Sequence, residues 1–272
     1  MVALVVALCG LGLVAVSNAS AELPELGRCA KVEGVKEGHK TVYHGKYKNK
    51  TCTKESSQAK GKYEWTAGPS EEKGFESPGT QEPVTLETAS GNQIACNNSK
   101  QFGEYTGPKT AKTELSLYEC HESASGEPCQ SVKPEEVPPT PQEGTIISLP
   151  LEATLGLISG GSKPSAGWDY KPKSGSALFN FECGKTFGSG TKVTIEGSFI
   201  GQVKIIDRMV EEDKLIYKGS LGQQVPEMFE GGAKDTLTAT FLTSGLVMSS
   251  EAISYSGSEE QSFEPIEIKA IP

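Results

Sequence analysis

Apolar and polar residues alternate with a period of two over much of this chain. The clearest runs are Lys192–Glu196 and Thr236–Leu242, in which every second side chain is apolar. Such a pattern buries one face of a strand and leaves the other in water, which is typical of an antiparallel sheet. No stretch shows the apolar spacing of an amphipathic helix of three turns. The sequence therefore predicts an all-β protein.

About a dozen strands, separated by short turns, are predicted after residue 84. So many consecutive strands favour an antiparallel barrel over a sandwich, because a closed sheet has no exposed edges. The predicted strands are Val84–Thr88, Asn92–Cys96, Phe102–Thr106, Thr113–Cys120, Thr145–Ile158, Ala177–Cys183, Lys192–Ile200, Val203–Ile206, Leu215–Gly219, Thr236–Leu242, Leu246–Tyr255 and Ile266–Ile268.

Composition divides the chain into four segments. Residues 1–21 are a predicted signal peptide, and residues 22–68 a small N-terminal module stapled by cysteine. Residues 69–83 are rich in Pro, Gly and Glu, a composition that predicts a flexible linker. Residues 84–272 form the predicted main antiparallel domain, interrupted by a Pro-rich surface loop at 134–141.

The predicted signal peptide is an apolar run from Val2 to Val16, followed by Ala19-Ser20-Ala21. The run has the length of a signal-peptide core and is too short to span a bilayer comfortably. We predict cleavage after Ala21 and a secreted or cell-surface protein with no transmembrane segment. A lipid anchor on Cys9 is disfavoured, because Leu8 stands where a small residue is needed.

Six cysteines remain after cleavage, an even number that predicts three disulfides in an exported chain. Sequence alone permits many pairings. Short spacings favour Cys29–Cys52 and Cys120–Cys129, which leaves Cys96–Cys183. The Cys29–Cys52 bond would stabilise an N-terminal module that is too small to bury much core. A zinc site is the alternative, and the absence of a C-x-x-C pair disfavours it.

Charge is distributed unevenly along the chain. Residues 22–75 hold 11 Lys and Arg against 8 Asp and Glu, a net charge of +3, and the remainder carries −12. An acidic body argues against nucleic acid as a partner, since phosphate binding needs a basic face. The basic segment could bind the acidic body or an acidic wall polymer.

No catalytic constellation is recognisable, so we predict a non-enzymatic protein without a cofactor or metal. Only three histidines are present, His39, His44 and His121, and no nucleophile motif of the G-x-S-x-G type occurs. A glycan hydrolase needs two carboxyl groups across a cleft. Sequence cannot select such a pair, and Glu211-Glu212-Asp213 is better explained as a solvated turn.

Two aromatic pairs are the candidate ligand-binding residues: Tyr63 with Trp65, and Trp168 with Tyr170. Within each pair the residues are two apart, so an extended chain places both rings on one face. Such a face can stack on sugars. Core packing is the alternative, and the stronger one, because large aromatic side chains dominate β cores.

Six short motifs are distributed along the predicted mature chain: residues 24–29 (PELGRC), 45–47 (GKY) before Cys52-Thr53, 61–65 (GKYEW), 103–110 (GEYTGPKT), 181–184 (FECG) and 266–269 (IEIK). On these motifs the chain resembles exported, β-rich proteins of unknown function from soil actinobacteria. The resemblance spans most of the predicted mature chain and implies no activity, cofactor or site residue.

These observations favour a non-enzymatic, envelope-associated binding or structural module, with cell-wall polysaccharide or another envelope protein as its partner. A β-barrel that carries a small apolar ligand is the second hypothesis. A pocket lined by residues such as Leu178, Phe181, Phe199 and Phe241 would support it, and a filled interior would exclude it. A secreted glycan hydrolase is the third hypothesis.

Overall fold

The computed structural model describes residues 23–71, 73–77, 82–131, 144–158, 165–184, 190–226 and 228–270. The predicted signal peptide and the Pro-rich stretch 134–141 lie outside these ranges. The described residues form strands, connecting loops and one short 3-10 turn at Ser57–Ala59. No helix in these ranges is long and apolar enough to cross a membrane. The all-β prediction is confirmed.

The described ranges contain 21 strands, and 16 of them begin at or after Val84, where about a dozen were predicted. Many of the additional strands have only two or three residues, too few to show a period of two. The strands are β1 (Glu25–Lys31), β2 (Val35–Glu37), β3 (Lys40–Val42), β4 (Tyr63–Ala67), β5 (Gly74–Glu76), β6 (Val84–Thr88), β7 (Gln93–Cys96), β8 (Asn98–Tyr105), β9 (Thr110–Tyr118), β10 (His121–Glu122), β11 (Cys129–Ser131), β12 (Ile146–Ile147), β13 (Leu151–Leu157), β14 (Ala166–Pro172), β15 (Ala177–Cys183), β16 (Thr191–Gly197), β17 (Phe199–Val203), β18 (Val210–Ser220), β19 (Gln223–Val225), β20 (Leu237–Thr243) and β21 (Leu246–Lys269).

Eight of these strands form a closed antiparallel barrel. Neighbouring strands pair in the order β9, β13, β14, β17, β18, β21, β5 and β8, and β8 returns to β9. Closure gives each of these strands two hydrogen-bonded neighbours and leaves the barrel without an edge. The prediction of an antiparallel barrel is confirmed.

The outer strands form a second ring of antiparallel pairs. Its order is β6, β7, β10, β11, β15, β16, β20 and β21, and β21 returns to β6. The link between β10 and β11 is a short hairpin, in which His121 bridges Pro128 and the Cys129 N–H donates to the Cys120 carbonyl at 2.9 Å. We call this set of eight strands the second ring.

The 24-residue strand β21 belongs to both rings. Its first half pairs with β20 and β6 of the second ring. From Gly257 onward it pairs with β18 and β5 of the barrel, and its last residues pair with β1. One continuous strand therefore joins the two rings and the N-terminal segment.

Aromatic side chains fill the interior of the barrel. The rings of Tyr105 and Trp168 stack with centroids 5.7 Å apart, and those of Tyr170 and Phe199 with centroids 5.0 Å apart. Tyr217 packs against the second pair, and each of the five residues is at most 3% exposed. Burial of Phe199 alone contributes about 1.5–3 kcal/mol. The barrel interior is a packed core.

The N-terminal segment is hydrogen-bonded to the barrel through β1. This strand pairs with β4 on one side and with the end of β21 on the other. The Leu26 N–H also donates to the Pro108 carbonyl at 2.7 Å. The predicted disulfide Cys29–Cys52 is present, with the two Cα atoms 5.6 Å apart.

The structure differs from the flexible linker predicted over residues 69–83. Strand β5 lies within this segment and closes the barrel between β21 and β8. Phe75, at its centre, is 6% exposed, and its ring centroid is 4.7 Å from that of Tyr105. Three residues with one buried aromatic side chain provide the closing strand, although the composition predicts a loop. Residues 72 and 78–81 lie outside the described ranges.

The other two predicted disulfides, Cys120–Cys129 and Cys96–Cys183, are wrong. The bonds are Cys96–Cys120 and Cys129–Cys183, each with Cα atoms 4.0 Å apart. The register explains the error, because Cys96 in β7, Cys120 just before β10, Cys129 in β11 and Cys183 in β15 lie side by side in one row. Cys120 and Cys129 are neighbours in this row, but each bonds to the cysteine on its other side.

Candidate functional site

A cavity of about 260 Å³ lies at one end of the second ring. This volume is well above the roughly 10–15 Å³ that a single water molecule needs. Side chains from seven of the eight strands line it, together with the β6–β7 and β10–β11 turns. The lining residues are Leu86, Thr88, Asn92, Gln93, Ile94, Glu122, Ser125, Glu127, Cys183, Gly190, Thr191, Val193, Phe241, Thr243 and Ile253.

The floor of the cavity is apolar and consists of Leu86, Ile94, Val193, Phe241 and Ile253. Leu86 lies opposite Ile94, and Val193 lies opposite Phe241. Directly opposed residues of paired strands point to the same side of a sheet. The register therefore turns these side chains into the ring, where all except the partly buried Phe241 are at most 6% exposed.

The rim of the cavity carries hydroxyl and amide groups. The Oγ1 atoms of Thr191 and Thr243 lie 3.1 Å apart across β16 and β20. Thr88 Oγ1 accepts the Asn92 backbone N–H at 3.0 Å and lies 3.1 Å from Ser90 Oγ. These bonds fix the rim side chains of three strands around an apolar floor.

Two carboxylates, those of Glu122 and Glu127, stand on the β10–β11 hairpin at the rim. Ser125 Oγ donates to Glu122 Oε2 at 2.5 Å and accepts the Glu127 backbone N–H at 3.1 Å. Gly190, also in the lining, donates its N–H to Glu182 Oε1 at 2.7 Å. Among the described residues that line the cavity, none is Lys, Arg or His.

Small side chains keep this end of the second ring open. The inward positions at the rim are Thr88, Thr191 and Thr243, whereas the barrel interior holds large aromatic side chains such as Trp168 and Tyr217. The disulfide of Cys183 forms part of the wall. The two rings share β21, but one interior is filled and the other contains a cavity.

Trp168 and Tyr170, one of the two predicted ligand-binding pairs, lie in the barrel core. They are 3% and 2% exposed, and both stack on other aromatic rings. Neither ring presents a face on which a sugar could stack. Core packing, the alternative kept open by the sequence, describes their position.

Trp65 and Tyr63, the other predicted pair, are half-buried on β4. Lys269 Nζ lies 3.9 Å from the centroid of the Trp65 ring, and the ring packs against Gly27. Burial raises the pKa of the neighbouring Glu267, and Lys269 and the Trp65 side chain partly offset this rise. The Trp65 ring therefore packs against residues of β1 and β21, the neighbouring strands of its own sheet.

The three histidines do not form a metal site within the described ranges. His39 and His44 are exposed, and His121 Nδ1 lies 3.3 Å from the Glu119 carbonyl oxygen. No group of three or more His, Cys, Asp or Glu suited to a metal ion occurs among the described residues.

Asp169 and Asp235 form a buried carboxyl pair on the outside of the barrel. Burial raises the pKa of Asp169, Lys171 Nζ at 2.5 Å lowers it, and the adjacent Asp235 raises it again. Ser198 Oγ donates to Asp235 Oδ1 at 2.5 Å. The two carboxyl groups are 2% and 6% exposed, so they do not face a cleft that could admit a glycan chain.

Sequence reasoning missed most of the cavity. Of the four residues named for a ligand-carrying barrel, Phe241 lines the cavity, whereas Leu178, Phe181 and Phe199 are buried in the core. The alternation along β16 and β20 indicates which residues point inward. It does not indicate which strands meet, because that depends on pairing between distant segments.

An exposed apolar tip borders the cavity. Leu246, Val247 and Met248 follow the turn after β20 and are 69%, 63% and 67% exposed. Thr243, just before the turn, lines the cavity and pairs with Leu246. The tip places apolar surface beside the cavity rim.

No protein-family model, curated protein or solved structure matches this chain.

Proposed function

We propose that this protein is a non-enzymatic, exported binding protein that holds a small, largely apolar ligand in the second ring. One observation carries the proposal: the cavity of about 260 Å³ has an apolar floor and a hydrogen-bonded polar rim. Ligand sites are typically concave and apolar, with a few polar groups that orient the ligand.

Support for export comes from two features. The apolar run at residues 2–16 and the small residues up to Ala21 match the apolar core and the cleavage site of a signal peptide, although no Lys or Arg precedes the run. Three disulfides are present, and such bonds persist mainly in oxidising compartments outside the cytoplasm. A place in the envelope, with a wall polysaccharide or an envelope protein as partner, stays part of the proposal.

A matched pair of variants tests whether the cavity binds a ligand. The probes are n-octylamine, 1-octanol and octanoate, which share an eight-carbon chain and differ in their head groups. Thr191→Phe places a ring in the cavity, whereas Thr238→Phe adds the same ring on the exposed side of β20. We expect wild type and Thr238→Phe to bind at least one probe, with a Kd between about 1 µM and 1 mM. Thr191→Phe should lose this binding.

Isothermal titration calorimetry measures these affinities, and thermal unfolding shows that both variants are folded. If the wild type binds none of the three probes, or Thr191→Phe binds as well as Thr238→Phe does, the proposed cavity function is wrong.

A further inference from the structure

We infer that the N-terminal segment from Lys31 to Lys62 binds a flexible anionic polymer, one that carries carboxylate or phosphate groups along its length. We call this segment the basic module. The inference names a partner class and a binding surface for the place in the envelope that is part of the proposed function. It rests on that part of the proposal and is independent of the cavity.

Positive charge is concentrated in the basic module. Residues 31–62 contain nine Lys against three Glu, a net charge of +6, whereas the remainder of the chain carries −15. All nine lysines are exposed. Like charges repel one another when they are held close together, and the Cys29–Cys52 disulfide ties this segment together. A polyanion relieves this repulsion, so the charge distribution favours an anionic partner.

The lysines are not used to hold the module on the acidic body. Of the nine, Lys46 forms an ion pair with a described residue, and its partner is Glu55 of the same module, at 3.2 Å. Both side chains are exposed, so the pair is weak. Lys50 lines a surface depression with Glu211 and Glu212, but none of the ion pairs among the described residues joins them. The ammonium groups are therefore available to a partner.

Two copies of the motif Gly-Lys-Tyr pair with each other within the module. Their first residues, Gly45 and Gly61, exchange backbone hydrogen bonds of 2.9 and 2.7 Å, and the Tyr residues that end the two copies exchange bonds of 2.8 and 3.0 Å. A Cβ atom on either Gly would overlap the backbone of the other copy, so glycine permits this close approach. The pairing fixes the backbones of two exposed lysines, Lys46 and Lys62, next to each other.

Aromatic rings lie beside these two lysines. Lys46 Nζ is 5.4 Å from the centroid of the Tyr47 ring, and Lys62 Nζ is 5.5 Å from that of the Tyr43 ring. A cation–π contact at an exposed site is weak, and an ammonium group has three donors, so both lysines keep donors for a ligand. A ring next to a cation suits an acidic sugar, whose ring packs on the aromatic face while its carboxylate pairs with the ammonium group.

A flexible polymer fits the module better than a stiff or flat polyanion does. The acidic body begins beside the module, where Glu211 and Glu212 share a surface depression with Lys50. A DNA duplex or an anionic bilayer would extend over these carboxylates and be repelled by them. A flexible chain can follow the lysines alone.

Two polymers test this inference: polygalacturonate, which carries carboxylates, and inorganic polyphosphate, which carries phosphates. We expect the wild type to bind at least one of them at about 50 mM salt, and not to bind neutral dextran. Affinity should fall at least about tenfold between about 50 and 200 mM salt, because release of counterions drives binding to a polyanion. The polymer that binds more tightly identifies the anionic group.

A matched pair of double variants locates the binding surface. Lys46→Gln with Lys62→Gln removes two charges from the module and should weaken binding at least about fivefold, with a shallower salt dependence. Lys112→Gln with Lys218→Gln removes two exposed lysines from β9 and β18 and should change affinity less than about twofold. Fluorescence anisotropy of labelled polymers measures affinity, and thermal unfolding shows that both variants are folded.

The outcomes separate this inference from the cavity function. If the wild type binds neither polymer at 50 mM salt, or if the two double variants lose affinity equally, the inference is wrong. Tighter binding to a DNA duplex than to both polymers would also overturn it. The octyl probes should bind equally to wild type and both double variants. Failure of polymer binding therefore leaves the cavity function standing, and failure of the octyl probes leaves the basic module standing.

Discussion

At the scale of single residues, the interior of the barrel alters the chemistry of Asp213. The sequence places this residue in a charged run and suggests a solvated turn. In the structure it is 8% exposed, and burial raises its pKa to about 6. Backbone N–H groups of Lys214 and Ile205, at 2.7 and 3.1 Å, partly oppose the rise. The inward position follows from the pairing of β18 with β21, which no local pattern reveals.

The raised pKa of Asp213 predicts a specific pH dependence of stability. The carboxyl group titrates near 3.8 in the unfolded chain and near 6 in the folded protein. The folded state therefore binds this proton more tightly, and its contribution to stability is full below about pH 4 and lost as the pH rises through about 6. Asp213→Asn cannot ionise. From pH 4 to pH 7 the wild type should lose about 2–3 kcal/mol more free energy of unfolding than the variant.

Urea unfolding at a series of pH values measures this difference. Glu211→Gln, which removes an exposed carboxylate from the same strand, is the matched control against which the effect of Asp213→Asn is read. Parallel pH profiles for wild type and Asp213→Asn would contradict the assignment.

At the scale of elements, local patterns predict the strands better than their partners. The predicted bounds of Val84–Thr88 and Ala177–Cys183 match β6 and β15, because each strand carries its own alternation. Strand β5 has three residues and β12 has two, so a period of two could not reveal them. Pro150 separates β12 from β13 within the single strand predicted over Thr145–Ile158.

The row of four cysteines also shows that local sequence does not reveal which strands are partners. It gives a prediction at the scale of elements. Loop length favours Cys120–Cys129, whereas the strand register places Cys96 beside Cys120 and Cys183 beside Cys129, with Cα atoms 4.0 Å apart in each pair. Proteolysis after Glu122 separates Cys120 from Cys129 without reduction. Mass spectrometry should then find peptides joined through Cys96–Cys120 and Cys129–Cys183. A peptide pair linked through Cys120–Cys129 would contradict the register of the hairpin.

At the scale of the whole molecule, two rings of strands share β21 and differ in what fills them. Composition and alternation predicted the all-β class and the antiparallel barrel. They could not predict a second ring, because it closes through the two-residue strand β10. The cavity follows from the meeting of small side chains such as Thr191 and Thr243, 52 residues apart in sequence, and no single segment of the sequence reveals it.

The measurement that most directly tests the central claim is a chemical-shift map of the ¹⁵N-labelled protein titrated with n-octylamine. A ligand in the second ring should shift the amide signals of 86–94, 122–127 and 190–193, and leave those of β1, β4 and the barrel strands β13 and β14 unchanged. Saturable shifts confined to the cavity segments are the predicted result. Shifts centred on Trp65, or scattered over the barrel, would contradict the claim that the second ring is the binding site.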